Sequence, residues 1–180
     1  MKIPPTLLPN TTVHWDVAGI TSALLSIETC GSVDLILTTT SSGDYYQVGF
    51  GDCSNTPCTT ITKFLSSTTP TTMTATVNPL QCSSFTDIWI SWESSARKIE
   101  VGTGRNLNQN VLVAMENLED LNTIIKMEPR GTNTTQWKLG RDSVALLRFV
   151  VTMEKTGCSH RVSYVNIADT TIDLCCLNAI

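Results

Sequence analysis

The chain has 180 residues, 41% of them hydrophobic and only 16% charged, with a net charge of −4. That length suits one domain with a sizeable core, and the charged fraction falls well below the ~25% usual for soluble domains. Without a basic run or a Lys/Arg stripe, nucleic-acid binding has no electrostatic footing. No apolar run reaches the ~18 residues of a spanning helix, so membrane insertion is not expected.

The opening MKIPPTLLPN places prolines where a signal peptide needs an apolar core, and residues 1–11 read as an extended arm. SALLSIET (22–29) and SVDLILTTT (32–40) predict strands, with a turn at Cys30 and Gly31 between them. DYYQVGFG (44–51) alternates: Tyr46, Val48 and Phe50 share one face, Tyr45 and Gln47 the other. TTITKFLSS (59–67) is a further strand. TTPTTMTATVNP (68–79) reads as a loop with a short exposed edge strand, or as an O-glycosylated stretch.

FTDIWISWE (85–93) and KIEVGTG (98–104), joined by SSAR, predict a hairpin. Ile88, Ile90 and Trp92 point one way; Trp89, Ser91 and Glu93 point the other. In NVLVAMENLEDLNTIIKM (110–127) two short strands flank one helical turn, and QWKL (136–139) and SVALLRFVVTME (143–154) continue the β pattern. Short strands, frequent turns and almost no helix predict an all-β, antiparallel, jelly-roll-like sandwich. Its expected parts are the arm 1–11, the sandwich 12–140, and closing strands with a Cys-containing tail over 141–180.

IEVGTGRN (99–106) has the glycine spacing of a loop that cradles S-adenosylmethionine. Such a loop must end a parallel strand and open a helix, so that the free N–H groups at the helix start face the ligand. Here the preceding strand has an antiparallel partner, and the following RNLNQN is polar and not amphipathic. Gly102 and Gly104 are therefore expected to close a hairpin strand, at a bulge or a close backbone approach. No G-x-S-x-G elbow or D-x-D-x-D-G loop occurs, so no catalytic residue, metal ligand or cofactor is assigned.

YYQVGFGDCSNT, then FTDIWISW, then KIEVGTG, then a distant WKL form a set that resembles the farnesoic acid O-methyltransferase domain family, over roughly residues 12–140. SALLSIETCGSVDLILTT fits that family's opening strand pair. The family name implies methyl transfer to a juvenile-hormone precursor. The resemblance itself implies an extracellular β-sandwich module without a cofactor fold, and the residues side with the latter.

The seven cysteines are Cys30, Cys53, Cys58, Cys82, Cys158, Cys175 and Cys176. With acceptor sequons at Asn10 and Asn133, they point to an oxidising, extracellular compartment and a glycoprotein. The spacing in GDCSNTPC suits a small Cys53–Cys58 loop around a Pro turn; a bridge from Cys158 to Cys175 or Cys176, and one from Cys30 to Cys82, are the other candidates. The odd count leaves one thiol for pairing outside the chain, a route to self-association.

The expected function is recognition, lectin-like, with glycans or extracellular proteins as partners. The alternative is a structural or adhesive module that self-associates. The candidate ligand-binding residues are Tyr45, Gln47, Trp89, Glu93, Arg105 and Asn106. An aromatic ring among polar neighbours on a sheet face is a stacking platform for sugars; the rival reading of Trp89 is burial beneath a loop or the other sheet.

Overall fold

The computed structural model describes residues 11–66, 68–119, 121–131, 135–139, 148–155 and 158–162. In chain order the strands are β1 (Thr11–Asp16), β2 (Ser22–Glu28), β3 (Val33–Thr39), β4 (Tyr45–Cys53), β5 (Thr56–Phe64), β6 (Thr71–Ala75) and β7 (Thr86–Glu93). There follow β8 (Lys98–Thr103), β9 (Val111–Met115), a 3-10 turn at Leu121–Thr123, β10 (Ile124–Gly131), β11 (Gln136–Leu139), β12 (Arg148–Lys155) and β13 (Cys158–Val162).

They form two antiparallel sheets. The larger has eight strands in the order β13-β12-β1-β10-β3-β4-β5-β6, and the smaller five in the order β11-β2-β7-β8-β9. This is the antiparallel sandwich the alternating sequence predicts. Strand β2 shows why: its exposure alternates strictly, with Ala23, Leu25 and Ile27 turned inward. The facing layer supplies Leu35, Leu37, Val48, Phe50 and Ile61, all essentially inaccessible. Each such side chain contributes about 1.5–3 kcal/mol of transfer free energy. Trp15 on β1 meets Trp137 on β11 edge to face, with ring centroids 6.4 Å apart, and so ties the two layers together. Trp92 donates its indole N–H to the Ile20 carbonyl at 2.7 Å.

The turn at Cys30 and Gly31 is present, but β2 and β3 are not partners. β2 pairs with β7 and β11, whereas β3 pairs with β4 and β10. The turn carries the chain across the sandwich, whose layers lie ~10 Å apart, a gap a short connection can cross. The same holds for β9 and β10, which flank the expected helical turn and lie in different sheets.

A second correction concerns the disulfide loop. Cys53 and Cys58 are bonded. The hairpin does not turn on proline, however: Pro57 lies within β5 opposite Asp52, and the turn is made by Ser54 and Asn55, with φ of 51° and 68°. Two successive positive φ values match the right-handed twist of paired strands. This two-residue turn sets the register of the whole β4–β5 ladder.

β6 is the exposed edge strand expected within 68–79. β12 and β13 extend the larger sheet beyond β1. Asn10, Asn133, Cys175, Cys176 and the Cys158 side chain lie outside the described residues.

Candidate functional site

The sandwich has two outward faces, and they differ in what covers them. On the five-stranded sheet, Trp89 pairs with Gly102 across the β7–β8 ladder. A Cβ on Gly102 would lie 2.3 Å from the Trp89 ring, so the indole lies directly over a position that only glycine can fill. Residues 104–110 close over it. Thr103 donates to the Asn110 carbonyl at 3.1 Å, Gly104 to the Asp87 carbonyl at 2.8 Å, and the Trp89 indole N–H to the Gln109 carbonyl at 2.8 Å. Residues 105–110, directly after the strand, form turns and bends instead of a helix. The glycine pair ends a hairpin strand, with a register shift between Val101 and Gly102.

Trp89 is therefore 0% exposed, and burial wins over the stacking-platform reading. The loop supplies the acceptor for the indole. The other candidates on this sheet are engaged locally. Arg105 donates to Asp87 at 2.8 Å, Asn106 to Gln109 at 3.3 Å, and Glu93 accepts from Ser95 at 2.9 Å. Lys98, bonded to Glu100 at 2.9 Å, has its ammonium held above the ordinary lysine range by that carboxylate.

The outward face of the eight-stranded sheet is open. Register places its side chains in rows across the strands. Arg130, Asp34, Gly49, Thr60 and Thr74 form one row; Glu128, Ile36, Gln47, Thr62 and Thr72 the next; Lys126, Thr38, Tyr45 and Phe64 the third. Gly49 leaves a notch in the first row that Asp34 and Thr60 lean into, so the glycine itself is buried. A Cβ there would lie 2.7 Å from Thr60 Oγ1 and 3.0 Å from Asp34 Oδ1, so glycine lets the carboxylate and the hydroxyl converge on one floor. Gln47 donates its amide N–H to Asp34 Oδ1 at 2.9 Å, which orients the carboxylate. Thr62 and Thr72 share a hydrogen bond of 3.0 Å. The third row ends in Tyr45 stacked on Phe64, with centroids 4.5 Å apart and planes 16° from parallel. From notch to ring pair is four residues along β4, ~13 Å.

Toward β1 the face becomes ionic. Glu128 accepts from Lys126 at 3.1 Å and from Arg130 at 2.9 Å. Partial burial pushes its carboxyl up, but the two cations outweigh this and leave it below the usual carboxylate range. His14 is held below its ordinary value by burial and by Lys126, against the opposing pull of Glu128 and Asp16.

Of the expected ligand-binding residues, the fold brings Tyr45 and Gln47 together on this open face. Trp89, Glu93, Arg105 and Asn106 stand on the opposite side of the sandwich, so the six cannot form one site. Asp34, Gly49, Thr60, Thr62, Phe64, Thr72 and Thr74 were not singled out from the sequence. The signal for those on β5 is the Ser54–Asn55 turn: counting outward from it pairs Gln47 with Thr62 and Tyr45 with Phe64. Asp34, Thr72 and Thr74 need the neighbouring registers as well.

No helix of the described residues is long and apolar enough to cross a membrane. No family model matches the chain, and no match is found among curated proteins. Among solved structures, the ancestral congerin Con-anc aligns with a TM-score of 0.50 at 7% identity, covering 78% of this chain and 99% of its own. The Congerin II T88I single mutant aligns at 0.50 and 6% identity, covering 72% and 99%. Xenopus laevis galectin-Ib aligns at 0.48 and 15% identity, covering 78% and 95%. At such identities the likeness shows the fold alone, an antiparallel β-sandwich.

Proposed function

We propose that this chain is an extracellular, lectin-like recognition module that binds glycans on the open face of its eight-stranded sheet. The observation that carries this is the Gly49 notch, where Asp34, Gln47 and Thr60 converge at one end of a strip that finishes in the Tyr45–Phe64 ring pair. Sugars present hydroxyls that both donate and accept, and apolar C–H faces. A carboxylate, an amide and a row of threonine hydroxyls meet the first need, and aromatic rings the second. The structural relatives with this fold, and the Cys53–Cys58 bond, support the same reading. Binding needs neither cofactor nor catalytic group.

The test is a glycan array with the full chain, followed by competition with free sugar. Sugar-competed binding that Asp34→Ala and Tyr45→Ala each weaken at least tenfold, while Arg105→Ala leaves it unchanged, is the expected result. A flat array, or binding lost only with Arg105→Ala, would count against this face.

A second reading is self-association as a structural module. It is favoured by β6, an edge strand with Met73 45% exposed, since unpaired strand edges are templates for further pairing. A concentration-independent monomer in sedimentation would remove it.

A further inference from the structure

We infer that Cys30 and Cys82 form a second disulfide, a latch between the β2–β3 turn and the connection that leads from β6 to β7. Both thiols are exposed and reduced here. The Cys30 thiol points at the Cys82 carbonyl, 3.8 Å away. The segments that carry them are hydrogen-bonded one residue earlier, where the Thr29 amide donates to the Gln81 carbonyl at 3.1 Å. Paired backbones lie ~4.7–4.9 Å apart, within the ~4.4–6.8 Å Cα separation a disulfide requires. Thr29 is itself anchored: its buried hydroxyl bonds to Gly31 N–H at 3.1 Å and meets the Thr135 hydroxyl at 3.0 Å. Little movement is therefore needed to bring the two sulfurs together.

The place of the latch gives it a consequence. The turn it would hold leads directly into Ser32, whose side chain lies against Gly51 at the end of β4. The β6–β7 connection is fastened nearby, with Thr59 donating to the Val77 carbonyl at 2.7 Å. Cys53–Cys58 closes the same end of the β4–β5 ladder. A Cys30–Cys82 bond would bind both sheets together there and enclose a loop of about fifty residues, a length at which cross-linking strongly limits the unfolded chain.

The oxidant is a low-molecular-weight disulfide such as oxidised glutathione. One cysteine thiolate attacks it, forming a mixed disulfide and expelling one glutathione thiol. The second thiolate displaces the other glutathione and closes the intramolecular bond. Two protein thiols are oxidised, and one disulfide is reduced to two thiols. The Cys82 thiol beside it, with some burial and the charge of Glu28, raises Cys30 above its ordinary range, so closure should quicken as the solution becomes alkaline.

The experiment treats the full chain with oxidised glutathione, alkylates the remaining thiols and maps the unreduced peptides by mass spectrometry. The expected result is a peptide pair joined through Cys30 and Cys82. The oxidised protein should also melt roughly 10 °C above a C30S/C82S variant that keeps the Cys53–Cys58 bond. Cys30 and Cys82 both found alkylated, or either joined to Cys158, Cys175 or Cys176, would overturn the inference. The map on the unaltered chain decides this even where the variant folds poorly.

Discussion

The two outer faces of the sandwich are built from strands of similar length and composition, yet one is closed and the other open. On the five-stranded side a glycine opposite a tryptophan makes a seat for the indole, and the 104–110 loop seals it with a hydrogen bond to the ring nitrogen. On the eight-stranded side a glycine opposite a threonine makes a notch into which the half-buried Thr60 and Asp34 side chains lean. An outward glycine thus has opposite results according to its cross-strand neighbour. A large ring fills the vacancy and becomes core, whereas short polar side chains lean into it and stay half-exposed.

The largest effect should come from emptying the closed face. Trp89→Ala should cost about 3–5 kcal/mol in denaturant unfolding, and the surviving folded protein should keep its glycan affinity. Lost affinity in a well-folded Trp89→Ala protein would mean that the two faces are not independent.

Gly102→Ala comes next. The added methyl meets the ring at 2.3 Å, so the indole must move, at about 1–3 kcal/mol. A neutral result in urea would show that the seat is looser than its geometry indicates.

The open face should behave inversely. Gly49→Ala should lower glycan affinity about tenfold, ~1.4 kcal/mol, because the methyl displaces Thr60 and crowds Asp34. Its stability should change by less than that of Gly102→Ala, since a threonine side chain yields more readily than a buried indole. Calorimetry against the array's best sugar, with urea midpoints alongside, separates the two faces.

The smallest effect is the pH dependence of the ionic border. His14 and Glu128 both have folded pKa values below their ordinary ones, so the folded state binds fewer protons than the unfolded chain. Stability is then present above the unfolded values and falls on acidification. The His14 part goes as pH drops below 6.5, and the Glu128 part as it drops below 4.5. Urea midpoints should decline across both windows; Glu128→Gln should flatten the lower one and, by removing a charge that opposes the His14 shift, deepen the upper one. A midpoint that rises on acidification would contradict the sign.

The reach of the sequence differed between the faces for a local reason. Period-two alternation assigns Tyr46, Val48 and Phe50 to one side of β4 and Tyr45 and Gln47 to the other, and it does so from residues within one strand. The glycines of IEVGTGRN could likewise be told from a cofactor loop by their immediate neighbours. The fate of Trp89 could not be settled in this way. Alternation puts it outside the core, and only the return of 104–110 over the sheet decides that outside means buried.

The amino-acid order alone determined that this chain is a layered antiparallel β structure, which residues each strand turns inward, and that a short bond closes Cys53 on Cys58. These follow from interactions between residues near in sequence, where backbone geometry leaves few choices. The tertiary structure alone decided which strands are neighbours and which turns cross between sheets. It also brought Asp34, Gln47, Gly49 and Thr60 to one floor and Cys30 beside Cys82. Those juxtapositions depend on registers between segments far apart in the chain, and such registers are set by how two apolar faces fit across a common core.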